Sequence, residues 1–399
     1  MIHTTDGFMP NLFTPTEEHQ MLREQVREFV ENENMDKQAE EYDQKECLNM
    51  DLFRKVGEES WFGVTIPEED GGLGMDATAA VIIHHELSKS DPGFCLAYLA
   101  HAMLFVNNFY HSASREQIDQ YLAPTLDGTW VGAMAMTEPN YGTDVLGMTT
   151  TATRDGNDYI LNGTKTYITN GPEAHIFIVY AKVEGKISSF ILTRECDGLS
   201  TSHHIPKMGM RTSSMSEVIM ENCRVPAANL LGEEGGGLTH MMRNLEIERL
   251  TLAAMSLGIA DRCVELMVQY GIERVAFGQP INRFGQIQRF IGEDYAILEA
   301  MRCLIYNEAY NVNPDTNNRV GSDASKLFAA PMAKKIADDC MQVYGGAGYC
   351  REFPIERLLR DAKLLEIGGG TLESHQKNIC KDLSKMFMRQ GTLTPSYLK

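Results

Sequence analysis

The sequence predicts an α+β chain in three parts: helical, then β, then helical again. Three observations carry this. Apolar residues recur at helical spacing up to about residue 128. From about 129 to 237, short β-rich runs are separated by turn dipeptides. From Leu238 onward, long periodic segments return to helix. The expected domains are an N-terminal all-α part over 1–128, a middle antiparallel β part over 129–237 and a C-terminal four-helix bundle over 238–399.

Taken in order, Thr14-Pro15-Thr16-Glu17 reads as a capping box with proline at the first helical position. Leu22, Val26, Phe29 and Val30 follow on one helical face. Pro67 to Gly74 (PEEDGGLG) is a loop. Ala77 to Ser90 reads as a helix stopped by Asp91-Pro92-Gly93, and Phe94 to Phe109 as a buried helix. Strands are expected at Trp130–Thr137, Thr149–Arg154, Tyr159–Leu161, Lys165–Thr169, Ala174–Val183, Ser188–Thr193 and Ser216–Cys223. Asp155-Gly156 and Asn162-Gly163 serve as tight hairpin turns. Leu238–Tyr270, Gly285–Asn311, Ser322–Tyr344 and Thr371–Gln390 make four helices, and short connections favour antiparallel neighbours.

Composition bounds the function. The 399 residues are 43% hydrophobic, enough for one large core or two to three smaller ones. With 36 Lys and Arg against 55 Asp and Glu, the net charge of −19 argues against general nucleic-acid or anionic-membrane binding. No apolar run is long enough to span a membrane. Met1 to Pro10 lacks the basic and apolar regions of a secretory signal. Nine scattered cysteines with no CxxC pair fit a reducing compartment. The expected location is a bacterial cytoplasm or, where a presequence has been removed, the mitochondrial matrix.

Five segments carry residues suited to chemistry, and each also has a plainer structural account. Ala135 to Asp144 ends a strand and opens a loop of free amides and hydroxyls, suited to the polar edge of a planar heterocycle; an Asx-type turn is plainer. Tyr167 and Thr169 lie two apart on a strand and share a face, one to stack on a ring and one to bond its edge; a strand end is plainer. Arg274, with Phe277, Gly278 and Pro280, follows a long helix, where a guanidinium can clamp a pyrophosphate; a surface salt bridge is plainer. Gln342 to Tyr349 (QVYGGAGY) lets backbone approach phosphates but lacks the strand of a Rossmann turn; helix termination is plainer. Glu246-Ile247-Glu248-Arg249 sits among apolar residues, where a buried carboxylate would gain a raised pKa suited to proton abstraction. Glu246 and Arg249 at i, i+3 read more plainly as a pair on a solvated face. No metal site is expected, because His84-His85 and His203-His204 are adjacent and do not share a helix face. No G-x-S-x-G marks a hydrolase elbow.

Together, the T-E-P-x-x-G-T-D loop, the Y-I-T-N-G strand and Gln342 to Asp361 (QVYGGAGYCREFPIERLLRD) resemble acyl-CoA dehydrogenases, as do Lys207 to Arg211 and Val225-Pro226. The resemblance runs from about residue 15 to residue 388. It implies FAD between the β part and the bundle. Met136, Thr137, Gly142 and Thr143 would line the flavin and its pyrophosphate, Tyr167 would stack on the ring and Thr169 would bond near N5. Thr371 belongs with these cofactor contacts. Arg274, Phe277, Gln342, Gly345 and Gly346 match residues that hold the ADP half from a neighbouring subunit, which implies a homo-oligomer, most often a tetramer. Gly285 and Glu373 stand where many members have glutamine; Gln286 or Gln288 could substitute near the adenine.

One departure from the family pattern is informative. The loop that usually reads Tyr-Glu-Gly-Thr is here Ile367-Gly368-Gly369-Gly370-Thr371, with no carboxylate. The isovaleryl-CoA dehydrogenase subgroup shares that gap and takes its base from the position before the arginine of Glu-Arg-Leu. That position is Glu248 in Glu248-Arg249-Leu250. The resemblance therefore implies Glu248 as base, with Gly368 and Gly369 leaving room for a short or branched acyl group. The Gly369 amide would bond the thioester oxygen. Arg249 would orient the site, and Glu246 would accept a bond from the pantetheine arm. The implied reaction removes an α-proton, passes a β-hydride to flavin and leaves a 2,3-enoyl-CoA. An electron-transfer flavoprotein would reoxidise the flavin. The rivals are an acyl-CoA oxidase, usually a longer chain; a desulfinase-like flavoprotein working without net dehydrogenation; and a non-catalytic FAD or CoA-ester binding protein.

Overall fold

The computed structural model describes residues 9–312 and 319–393. Residues 1–8, which carry most of the N-terminal signal reading, and 394–399 lie outside them. The first helix, Glu17–Asn32, is capped by Thr16, whose side chain accepts from the His19 amide. The expected capping box is thus corrected by two residues. Pro15 precedes the cap, and position N3 is His19 rather than an acid that could bond back. Leu22, Val26 and Phe29 are buried as spaced. Ala77–Ser90 is a helix, as expected. Asp91 then ends one helix and begins the next, accepting from the Phe94 amide at 2.9 Å with Pro92 at the first position. The rod Pro92–Leu99 widens into a π-helix over Ala100–Asn107 before a last turn at Asn108–Tyr110. The buried helix expected at 94–109 is therefore present with a locally altered winding.

The middle strands are β1 (Gly132–Ala135), β2 (Thr151–Asp155), β3 (Asp158–Thr169), β4 (Ile176–Val183), β5 (Lys186–Thr193), β6 (Leu199–Thr201), β7 (Met215–Pro226) and β8 (Leu230–Leu231). They form one sheet in the order β6-β7-β3-β2-β4-β5-β8, with β1 added beside β4. Most pairs are antiparallel, but β1–β4 and the single β2–β4 contact are parallel, so the sheet is mixed. Asp155-Gly156 turns β2 into β3 as expected, with Gly156 at φ +63. Asn162-Gly163 does not turn the chain. It lies inside the continuous β3, opposite a bulge in β7, where the register shifts between Leu161 and Gly163 and Asn222 on β7 has φ +51. The left-handed asparagine sits on the partner strand, so the dipeptide alone does not tell a bulge from a tight turn.

The C-terminal helices are Gly237–Glu273, Gly285–Asn311, Val320–Tyr344 and Leu372–Gln390. A fifth, Ile355–Leu365, packs beside Val320–Tyr344; no helix was expected there. One apolar core runs through both helical parts, from Leu22 and Phe53 to Leu250, Ile336 and Leu358. The sheet buries one face in its own cluster around Tyr159 and Phe190. Its other face, with Ile176, Ile178 and Tyr180, packs on Phe105, Phe109 and Met241. The long helix Gly237–Glu273 therefore starts where all three parts meet.

Candidate active site

The long helix is apolar on several sides around Glu248, with Leu250, Leu252, Ala253 and Ala254 buried. Glu248 is 6% exposed, and Glu246 and Arg249 are buried as well. The plainer account, a solvated Glu246–Arg249 pair, is overturned: the Arg249 guanidinium instead lies 2.9 Å from the Asp323 carboxylate. Burial pushes the Glu248 carboxyl above its usual range, against the pull of Arg249 and Lys326. Glu248 Oε2 has no hydrogen-bond partner among the described residues.

The glycine loop closes over this carboxylate. Gly369 has φ +63, a conformation that favours glycine. A Cβ placed there would stand 3.2 Å from Glu248 Oε1 and 2.2 Å from Leu252 Cδ1, one helical turn beyond Glu248. Gly368 meets only ordinary contacts with Leu364. Behind the loop, buried Lys326 donates to the Gly368 carbonyl, to the Gly370 carbonyl at 2.6 Å and to His375 Nε2 at 3.2 Å. The other ring nitrogen of His375 lies 2.6 Å from Asp323. Thr371 caps the last helix through the Ser374 amide, and Glu373 beside it is exposed.

A second cluster joins two of the sequence segments. The Thr166 amide donates to the Thr137 carbonyl at 2.8 Å. Lys165, fully buried, donates to the Met136 carbonyl at 3.1 Å and to Glu138 at 2.9 Å. Burial works against the Glu138 charge, yet bonds from Thr149, Thr150 and Lys165 hold its carboxyl down at about 2. This ion pair fixes Tyr167, which is 63% exposed at φ +59, with Thr169 half-buried two residues on and Ile168 buried between them. Gly142 and Thr143 are exposed in the adjoining loop.

A third group gathers at the far end of the long helix. The Tyr270 and Tyr344 rings stack with centroids 3.9 Å apart, bringing together the ends of two helices; Arg274 and Phe277 follow the first, and Gln342, Gly345 and Gly346 lie at the end of the second. Phe277 is 97% exposed at φ +50, and Gly345 has φ +60. From Glu248 to Tyr270 is roughly 33 Å at 1.5 Å per residue along the helix. Gly285, where glutamine was missed, begins the next helix with no atom near its Cβ position.

Three family models tile the chain: the acyl-CoA dehydrogenase N-terminal domain over residues 16–129, the middle domain over 133–223 and the C-terminal domain over 235–384. The mitochondrial isovaleryl-CoA dehydrogenase of Pongo abelii is 38% identical over 369 residues, covering 90% of this chain and 86% of its own. The chain belongs to the acyl-CoA dehydrogenase family. Membership makes it an oxidoreductase. The Solanum tuberosum isovaleryl-CoA dehydrogenase is 36% identical, covering 94% of this chain and 92% of its own. Among solved structures, butyryl-CoA dehydrogenase from Megasphaera elsdenii superposes with a TM-score of 0.89 at 31% identity, covering 95% of this chain and 100% of that one.

Against this family frame, the sequence missed the supports behind the motifs. Lys326, Asp323 and His375 come from two helices that read as ordinary bundle segments. Glu138 lies inside the T-E-P-x-x-G-T-D loop and Lys165 two residues before Tyr167, but nothing local reveals that they pair. An isolated lysine in a periodic helix reads as solvent-facing; only three-dimensional packing buries it.

Proposed function

We propose that the protein is an FAD-dependent acyl-CoA dehydrogenase acting on a short or branched acyl-CoA to give the 2,3-enoyl-CoA. The observation that carries the reading is Glu248: a buried carboxylate with one unpartnered oxygen, set against a glycine loop that holds no acid of its own. Its raised pKa makes it a stronger base, and burial keeps water away. Glu248 Oε2 takes the α-proton, and the Gly369 amide donates to the thioester oxygen as negative charge develops there. Arg249, held by Asp323, fixes the helix turn that presents the base. Glu246 accepts from the pantetheine arm. The open loop at Gly368 and Gly369 leaves space for branching at the reacting carbons.

The residues fit FAD. Tyr167 offers an exposed ring, and a Cβ at Gly142, Gly345 or Gly346 would meet nothing within 4 Å, so the backbone is approachable. Met136, Thr137, Thr143, Thr169 and Thr371 would complete the hold on the flavin half. The cofactor supplies the two-electron acceptor for the β-hydride. Arg274, Phe277, Gln342, Gly345 and Gly346, too far along the helix to serve the same chain's Glu248, would hold the ADP half belonging to a neighbouring subunit, with Glu373 and Gly285 near the adenine. That arrangement requires a homo-oligomer, for which we take a tetramer, with an electron-transfer flavoprotein as acceptor. A related chain solved in a study of the electron transferring flavoprotein of Acidaminococcus fermentans has a TM-score of 0.89 at 36% identity and covers 92% of this chain and 98% of its own.

Anaerobic addition of isovaleryl-CoA to the purified protein tests the reading. Loss of the oxidised-flavin absorbance is expected. A flavin that stays oxidised with isovaleryl-, 2-methylbutyryl- and butyryl-CoA alike would move the protein to a non-dehydrogenating role.

A further inference from the structure

Lys326 is a fully buried lysine whose ammonium meets three acceptors, two of them in the glycine loop. The Gly368 carbonyl and the Gly369 amide belong to one peptide unit. No described peptide bond is cis, so the carbonyl and the N–H of that unit point in opposite directions. A cation bonded to the oxygen therefore aims the N–H the other way. It also polarises the unit, because a peptide whose oxygen accepts a strong bond becomes a stronger donor. The second bond, to the Gly370 carbonyl, pins the Gly370–Thr371 unit, so the glycine pair Gly369–Gly370, at φ +63 and +95, is braced on both sides. The same ammonium faces Glu248, whose charge it favours.

We propose that Lys326 is the positioning residue for α-proton removal: it holds and polarises the Gly368–Gly369 peptide, whose amide bonds the thioester oxygen beside the Glu248 carboxylate. His375 and Asp323 form the chain that keeps Lys326 in place, since His375 accepts from the ammonium through Nε2 and its other nitrogen meets Asp323. The charged groups around Lys326 are Glu248 and Arg249 from the long helix, Asp323 from its own helix and His375 from the last helix. Burial pushes the ammonium below its usual range, while Glu248 and Asp323 pull it back. The loop and the base thus share one support, although they lie in segments more than a hundred residues apart.

This proposal rests on the dehydrogenase reading, and the test separates the two. Lys326→Met and wild type are compared with a 3-thia-acyl-CoA, whose β-position is sulfur and carries no hydride, so only the proton step can proceed. Two readouts are followed: the long-wavelength enolate–flavin absorbance as pH is varied, and exchange of the α-hydrogen into D2O by mass spectrometry. Lys326→Met should bind FAD as wild type does, exchange about tenfold or more slowly, and require a more alkaline pH for the absorbance. Lys326→Arg, which keeps the charge, should recover part of both. Wild-type exchange and an unmoved pH midpoint in Lys326→Met would overturn the proposal while leaving the dehydrogenase reading intact. A wild type that neither exchanges nor bleaches would instead overturn that reading. Should Lys326→Met fail to retain FAD, His375→Asn decides by the same readouts: slower exchange supports the proposal, and unchanged exchange overturns it.

Discussion

The two ends of the 37-residue helix Gly237–Glu273 are built to opposite rules. Around Glu248 the charged groups Glu246, Arg249, Asp323 and Lys326 are buried, and each of the two cations has an anion or a carbonyl of the same chain beside it. Around Arg274 the chain turns a phenylalanine, an arginine and two glycines outward, and among the described residues the only ring packed on Phe277 is Phe284. The contrast teaches where the work of each end is completed. An enclosed charge cluster costs too much desolvation to form unless its partners are supplied within the fold. An exposed aromatic and open glycines gain their stabilisation only when something else lands on them. Changes at the enclosed end should therefore alter rate per bound flavin, and changes at the open end should alter how much flavin is bound.

The sharpest check is Glu248→Gln. We expect it to retain FAD and lose flavin reduction by roughly a thousandfold, since an amide cannot take the proton; stopped-flow absorbance with the best acyl-CoA reads it directly. Substantial reduction in that variant would remove Glu248 from the reaction. Gly369→Glu should not restore turnover with a branched substrate when combined with Glu248→Gln. Its Cβ would press on Leu252 from a left-handed backbone, at a cost of about 1–3 kcal/mol. At the open end, Phe277→Asp should lower FAD occupancy and subunit association about tenfold by light scattering and flavin titration, while the rate per remaining flavin stays near wild type. A rate loss without loss of flavin would break the contrast between the two ends.

A last effect lies in acid stability, away from both ends. His101 is fully buried; its Nε2 meets the Thr125 carbonyl and its Nδ1 accepts from the Gly132 amide, an arrangement that requires the neutral ring. Burial pushes it down to about 4. Above the ordinary histidine range the ring is neutral in both folded and unfolded chains, so stability is intact. As pH falls from about 6.5 towards 4, the unfolded chain takes up a proton that the folded chain refuses, and up to about 3 kcal/mol is lost. Urea midpoints measured across that window should fall, and fall less in His101→Gln.

Much of this was readable before any coordinates. Four C-terminal helices, the helix Ala77–Ser90 and the Asp155-Gly156 hairpin appear where residue spacing placed them. The missing loop acid and the Glu248 position were visible as motif departures, because a motif is a run of adjacent residues. The parallel pairing of β1, the continuation of β3 through Asn162-Gly163 opposite a β7 bulge, and the solvated Glu246–Arg249 pair were misread. Each depends on a partner strand or helix that local pattern does not contain.

Periodicity, turn dipeptides and catalytic motifs therefore set the element order, the family and the base to be tested, since each is encoded within a few neighbouring residues. Packing alone decided the upward push on the Glu248 carboxyl, the burial of Lys165 and Lys326, and the bracing of the glycine loop. Those properties come from desolvation and from partners such as Asp323, Glu138 and Gly368, which reach each other only once the helices and strands have closed around them.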